Sequence, residues 1–376
     1  MVLVTAAVVR EKSGPFTIER LVLEEPRPNE VLVRVVGTGM CHTDLVVRDQ
    51  YFPTPLPAVL GHEGAGVVEK VGSAVSKVTV GDHVVLTYAT CGRCENCKRG
   101  LGAYCNDLYG RNFSGGRSDT SSPYTTENGE RVSGCFFSQS TFGSFAIADE
   151  RNVVKIRRDV PLEIMGPLGC GIQTGAGAVI NALRPGAGTS IAIFGAGSVG
   201  LAAIMAAKVV GCTSIVAIDL NASRLKLAKK FGATATISGD AEDLIKRIHE
   251  HTDGGAHFSL ECTGIPKVLR TAVDCLRLTG VCGLVGVAKL GTEVPLDMNS
   301  ILFGRTVRGI IEGDSVPDIF IPQLIELWRQ GRFPFDKLIK FYDLADINQA
   351  AHDSECGSVL KPVLRPSEGS NAGKKE

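Results

Sequence analysis

Four cysteines within fifteen residues, Cys91, Cys94, Cys97 and Cys105, follow the pattern C-x2-C-x2-C-x7-C, which lets one loop close around a tetrahedral ion. Thiolates favour zinc, and four protein ligands leave no open coordination position. The loop is therefore expected to be a lobe held together by metal rather than a place where metal does chemistry. Arg93, Lys98 and Arg99 stand where they could offset the negative charge that four thiolates leave on a divalent ion. The competing arrangement is a disulfide cluster. The opening MVLVTAAVVR has no secretory leader, and several of the 12 cysteines lie in apolar runs, which points to a reducing, cytoplasmic setting and so to zinc.

The 376 residues suffice for two domains with a sizeable core. Forty basic residues balance forty acidic ones, so there is no electrostatic reason to expect nucleic acid or an anionic membrane as a partner. The richest apolar run, Leu201 to Val210, is interrupted by Lys208 and is too short to span a bilayer. Pro366 to Glu376 reads as a disordered tail. No internal repeat is visible.

Up to about residue 170 the chain carries short β-branched runs such as VLVRVV (31–36), GVVEKV (66–71) and DHVVL (82–86), parted by Gly and Pro turns, and reads as a mostly β domain. From Thr189 strand and helix patterns alternate through SIAIF, SIVAIDL, NASRLKLAKKFG, ATATI, AEDLIKRIHEH, HFSLEC, PKVLRTAVDCLR and GVCGLVGV. Five strands with helices between them predict an α/β unit with a parallel, doubly wound sheet. VPDIFIPQLIELWRQG then predicts a helix and SVLKPVL a strand. The expected organisation is an inserted Rossmann domain, 172–311, within a β domain made of 1–171 and 312–376, with the active site in the cleft between them.

Gly195-Ala196-Gly197-Ser198-Val199-Gly200 follows a predicted strand and opens a predicted helix, and Asp219 ends the next strand. The glycines let backbone approach a pyrophosphate at a helix N-terminus, and Asp219 can accept from the ribose hydroxyls while repelling a 2′-phosphate. NAD is therefore expected rather than NADP. Arg224 either flanks the ribose, accepts a phosphate, or lies on a solvated helix face. In the first domain Cys41 and His62, with Cys170 in PLGCGIQTGAG, form a Cys2His set, the three-ligand pattern of a catalytic zinc with an open fourth position. Singly, each residue is as readily explained by packing or a buried hydrogen bond.

GHEGAGVVEKVG, the cysteine lobe and GAGSVG, in this order, resemble the zinc-dependent medium-chain alcohol dehydrogenases over residues of about 5 to 365, with a GroES-like catalytic domain and a Rossmann domain. GPLGCGIQTGAGAVINAL, CHTDLVVRDQYFPTPLP and DIFIPQLIELWRQGRFPFDKLIKFY are most similar to the bacterial aryl (benzyl) alcohol dehydrogenase branch. The resemblance implies two zincs per chain, NAD, a homodimer or homotetramer, and interconversion of primary alcohols and aldehydes by hydride transfer. It assigns Cys41, His62 and Cys170 as catalytic zinc ligands and Asp44 as the carboxylate orienting the histidine. Glu63 becomes a carboxylate behind the metal, either a transient ligand or a buried ionic partner. Thr43 becomes the hydroxyl that starts the proton relay. His42 and Lys361 become contacts to the pyrophosphate, and Thr174 and the backbone near Val287 line the nicotinamide. Many relatives have histidine where this chain has Val46, so the end of the relay differs.

Tyr51, Phe52, Phe136 and Phe137 are expected to give a flat apolar pocket suited to benzylic or allylic alcohols, the alternative for such a cluster being core. The rivals are a glutathione-dependent formaldehyde dehydrogenase, in which Tyr109 would stand in place of an arginine with Arg111 nearby, and an aliphatic alcohol dehydrogenase. More distant is a non-catalytic zinc- and dinucleotide-binding protein.

Overall fold

The computed structural model describes residues 1–366, so all of the expected tail except Pro366 lies outside the described residues. Two compact units emerge. The first comprises 1–170, 316–322 and the described residues from 336 onward; the second comprises 171–315 and 323–335. Residues 312–315 and 323–335, expected with the β domain, thus belong to the second unit. The helix Pro317–Arg329 carries the chain across this division, which a run of helical periodicity does not mark.

In chain order the strands are β1 (Val2–Val9), β2 (Phe16–Leu23), β3 (Glu30–Gly39), β4 (Ala58–Val59), β5 (Glu63–Val71), β6 (His83–Leu86), β7 (Tyr124–Thr126), β8 (Arg131–Val132), β9 (Phe145–Asp149) and β10 (Val153–Ile156) in the first unit. The second unit holds β11 (Ser190–Phe194), β12 (Ser214–Asp219), β13 (Ala235–Ser238), β14 (Ala256–Glu261), β15 (Leu276–Leu284) and β16 (Thr306–Gly309). The first unit closes with β17 (Ile339–Asp343) and β18 (Lys361–Arg365).

The first unit has two sheets, ordered β4-β1-β2-β7-β8 and β10-β6-β5-β3-β18-β17, with β9 also on β3. The last described strand, β18, thus pairs antiparallel with β3 and parallel with β17. Alternating apolar residues of β3, β5 and β6 (Val31, Val33, Val68, Val84, Leu86) pack into one core cluster, the burial that period-2 patterning dictates. At the end of β3 a Cβ on Gly39 would lie 2.0 Å from Glu63 Oε2, so only glycine admits that carboxylate.

The second unit has one sheet, parallel at every pairing, ordered β13-β12-β11-β14-β15-β16. The order reverses between β11 and β14, the switch point at which such sheets bind dinucleotides. The sequence reading has five strands here and the structure six. β16 is only four residues long, mostly exposed, and lacks the continuous apolar run that marks the other strands.

Candidate active site and metal centres

Three separate segments of the first unit bring Cys41, His62, Glu63 and Cys170 together, with one donor atom of each within 4.8 Å of the others. Cys41 caps the helix His42–Arg48, His62 and Glu63 open β5, and Cys170 closes a short 3-10 turn. Asp44, fully buried, holds the first two segments in register. Its Oδ2 accepts the Cys41 N–H at 2.8 Å, and its Oδ1 accepts the Gly61 N–H at 3.2 Å and lies 2.8 Å from His62 Nδ1. An ionised carboxylate at Nδ1 fixes the proton there and turns the Nε2 lone pair toward the thiols. His62 Nε2 is buried and has no partner in the protein, a costly state for a polar atom unless an ion takes it. Two thiols and this imidazole therefore fit a zinc ion with an open fourth position.

The electrostatics favour the same donors. The Cys170 thiol, and then His62 and Lys361, hold the Cys41 thiol well below its usual range against the opposing effect of burial. Burial opposes protonation of His62, but Asp44 and Cys41 outweigh it and raise the imidazole well above its usual value. A metal entering here must displace that proton, so its binding is pH-dependent. Thr43 Oγ1 lies 3.8 Å from Cys41 Sγ, half-buried, while His42 is exposed at the start of the same helix.

The Cys91, Cys94, Cys97 and Cys105 sulfurs also lie within 4.8 Å of one another. Backbone N–H groups of Cys91 and Cys94 point at sulfur, at 3.2 Å to Cys105 and 3.3 Å to Cys91. Donors of this kind, with that of Arg93 first, lower the Cys91 thiol to about 6, whereas burial pushes Cys97 up to about 12. Arg93, Lys98 and Arg99 are exposed. The guanidinium that reaches into the lobe is Arg151, whose Nη1 donates to Cys91 O at 2.8 Å, a residue the sequence reading missed because it lies 60 positions away.

In the second unit the glycine turn leads from β11 into the helix Ser198–Val209. Gly195 has φ +92°, a Cβ on Gly200 would strike Gly195 O, and a Cβ on Gly197 would meet open space, so the turn is tight on one side and leaves room on the other. Asp219, at the end of β12, accepts the Ala196 N–H at 2.6 Å and the Asn221 N–H at 2.7 Å, with Arg224 Nη1 4.0 Å from Oδ2. Ser198, Val199 and Thr174 are half-buried, and Val287 is half-exposed beside Gly264.

Residues 27–158 match the family described as alcohol dehydrogenase GroES-like domain, and residues 198–329 match zinc-binding dehydrogenase. The chain is 46% identical to a geraniol dehydrogenase of Castellaniella defragrans over 96% of both chains. It is 49% identical to the crystallised benzyl alcohol dehydrogenase of Acinetobacter calcoaceticus, with a TM-score of 0.95 over 98% of this chain and 100% of that one. An S-(hydroxymethyl)glutathione dehydrogenase of Paracoccus denitrificans is 32% identical over 96% of this chain and 98% of its own. The chain belongs to the zinc-dependent medium-chain alcohol dehydrogenases.

Within this alcohol dehydrogenase, Lys361, the expected pyrophosphate contact, is the ion-pair partner of Glu63. It is buried in the first unit with Nζ 2.9 Å from each Glu63 oxygen and 3.3 Å from Met40 O. Of the two roles considered for Glu63, the structure shows the buried ionic partner. The aromatic residues, for their part, form a cluster around the candidate ligand. The Phe137 ring stacks on His62 at 4.4 Å and Phe136 meets it edge-on at 5.3 Å. Phe113, unremarked in the sequence, contacts Phe52, Phe136 and Phe137, and Tyr51 is exposed. A separate cavity of about 360 Å³ in the first unit is lined by Arg27, Arg111, Arg117 and Arg151. These pair with Asp119, Asp107, Glu30 and Asp149 respectively, so the cavity presents no uncompensated charge to a ligand.

Proposed function

We propose that this alcohol dehydrogenase interconverts benzylic or allylic primary alcohols and their aldehydes, using NAD. The observation that carries the reading is the buried, unpartnered His62 Nε2 between two thiols, with phenylalanine rings packed against the same imidazole. Zinc held by Cys41, His62 and Cys170 would supply an electrophile that makes an alcohol hydroxyl acidic near neutral pH and polarises an aldehyde in reverse. Asp44 keeps the His62 tautomer and ring orientation, and the two thiolates limit the net charge of the centre. Thr43 accepts the alcohol proton and passes it toward water, since Val46 offers no imidazole. NAD held by the glycine turn and Asp219 would supply the hydride acceptor, so that the carbinol hydrogen could leave with its electron pair as the carbonyl forms. Cys91, Cys94, Cys97 and Cys105 would hold a second zinc, whose part would be structural.

Asp219 supports NAD. A carboxylate already accepting two N–H groups still has lone pairs for ribose hydroxyls, and its charge disfavours a phosphate; Arg224 faces that carboxylate. The formaldehyde rival is disfavoured because Tyr109 donates to Pro53 O and stacks on Phe113, and Arg111 pairs with Asp107. The exposed edge strand β16, flanked by the exposed Met298, Leu302 and Phe303, supports self-association of the chain. The absence of a disulfide among the described residues, with twelve cysteines present, supports a reducing compartment such as the cytoplasm. Among the described residues no helix is long and apolar enough to cross a membrane.

A panel of benzyl alcohol, cinnamyl alcohol, geraniol, ethanol and S-hydroxymethylglutathione, followed by nicotinamide reduction with NAD and NADP, tests the reading. The first three should exceed ethanol in kcat/KM by roughly 100-fold, the scale of a few buried methylenes. A preference for S-hydroxymethylglutathione or for NADP would overturn it.

A further inference from the structure

The segment Cys135–Ser140 is unusual backbone. Cys135, Phe137, Ser138 and Ser140, none of them glycine, all have φ between 51° and 56°. Residues persist in this region only where surrounding bonds over-determine them, and such clusters accompany functional sites. Two sets of bonds hold the segment. Thr141 N–H and Phe142 N–H donate to Gly61 O and Leu60 O at 2.9 Å each, aligning the following residues with the approach to His62. Ser140 Oγ accepts the Phe136 N–H at 2.9 Å and donates to Val59 O at 2.7 Å.

Gln139 is the residue this conformation aims inward. Fully buried, it uses both ends of its amide: Nε2 donates to His62 O at 2.9 Å and Thr87 O at 3.2 Å, and Oε1 accepts the Gly64 N–H at 3.2 Å. Thr87 continues the path, donating its hydroxyl to Gly169 O at 2.7 Å, one residue before Cys170. Through Gln139 and Thr87, buried hydrogen bonds therefore link the backbone of His62 and Gly64 to the backbone beside Cys170. Phe137, two residues from Gln139, covers the imidazole itself at 4.4 Å.

We infer that Gln139 is a positioning residue for the metal ligands, fixing His62 directly and coupling it through Thr87 to Cys170. It touches neither substrate nor cofactor. It sets the spacing between two ligands carried by segments more than 100 residues apart in the chain. A single amide does this because it can donate and accept at once, and no apolar residue of the same volume satisfies the three backbone groups it serves.

The inference rests on Cys41, His62 and Cys170 being ligands, and the test separates the two. Purified wild type, Gln139→Leu, Thr87→Val and Thr87→Ser are compared for zinc content, for zinc release into a chelator, and for the visible spectrum after cobalt is exchanged for zinc. Wild type should hold two zincs; only one would overturn the ligand assignment itself. With two present, Gln139→Leu and Thr87→Val should release one zinc about tenfold faster or more, on the scale of losing a group that orients a ligand, while the other zinc stays. Thr87→Ser, which keeps the hydroxyl, should release at the wild-type rate. Unchanged release and an unchanged cobalt spectrum in Gln139→Leu, or parallel loss of both zincs, would overturn the inference. Should Gln139→Leu fail to fold, the contrast between Thr87→Val and Thr87→Ser decides it, and equal release from those two overturns it.

Discussion

Replacing Lys361 by methionine removes the ammonium that pairs with Glu63 while keeping most of the stem's volume. The two side chains are 2% and 0% exposed and 2.9 Å apart. At an effective dielectric of about 20, unit charges at that separation attract by about 6 kcal/mol. Breaking a buried pair from one side costs about 3–5 kcal/mol, because the remaining ion can relax or take up a proton. Glu63 has that escape. Burial already raises its carboxyl above the ordinary range despite Lys361, and loss of the ammonium moves it further in the same direction. In the variant the native state therefore binds more protons than the unfolded state from about pH 4.3 up to the raised value, so stability falls as pH rises through that window. Lys361→Met should be destabilised by about 3–4 kcal/mol at pH 8 and by less at pH 5.5, and adding Glu63→Gln should recover most of the loss. Trp328, the only tryptophan, lies in the second unit, so its fluorescence reports the wrong body. Hydrogen exchange of the β3 and β18 amides is the appropriate assay. A single variant within about 1 kcal/mol of wild type at pH 8, or a double variant no better than the single, would refute the argument.

Asp44→Asn keeps the side-chain shape but loses the charge that holds the His62 proton on Nδ1, and catalytic zinc affinity should fall by about 10–100-fold in a chelator competition. Cys97→Ala should lower zinc content from two to one per chain and expose 91–105 to limited proteolysis, leaving the second unit's melting unchanged. Asp219→Gly should reduce kcat/KM with NAD about tenfold or more, the scale of a hydrogen bond to a charged group, and relax the preference toward NADP, read from paired initial rates. Asp82 is buried, but Lys155 at 2.8 Å, with Thr79 and Arg158, depresses its carboxyl from 3.8 to about 2 against the effect of burial. Its contribution is complete above the unfolded value and fades as pH falls through about 2. Asp82→Asn should therefore lose about 1–2 kcal/mol at pH 7, with the deficit shrinking below about pH 4 in thermal melts.

Spacing and residue type made the four-cysteine lobe, the glycine turn and the convergence of Cys41, His62 and Cys170 readable in the sequence, because metal and phosphate chemistry constrain those choices locally. Asp44 was legible only through the family resemblance, since its bonds to Cys41 N–H and His62 Nδ1 join segments 18 positions apart. The role of Lys361 was not legible. Its partner Glu63 lies 298 positions away, and an ion pair across that distance leaves no periodic trace. Gln139 was hidden for a different reason. FFSQS carries no glycine to announce left-handed backbone, so the conformation that aims its amide inward comes from tertiary bonds alone. The four residues of β16 escaped because an exposed edge strand need not be apolar.

The position of β18 has a consequence for how the chain is made. It lies between β3 and β17 in its sheet, yet it is the last of the described strands to be synthesised. All three cysteine and histidine donors have left the ribosome once residue 170 has emerged, but the ammonium that neutralises Glu63 arrives 191 residues later. Until then the Thr38–Gly39 end of β3 lacks its β18 partner, although β9 already pairs with Glu30–Arg34, and the Glu63 carboxylate has no Lys361 partner. The inserted unit, whose strands all lie in a continuous stretch, can finish folding while the first unit waits. Nascent chains stalled before β18 should therefore contain a native second unit and an incomplete first one, with the Thr38–Gly39 end of β3 as the surface that chaperones must shield.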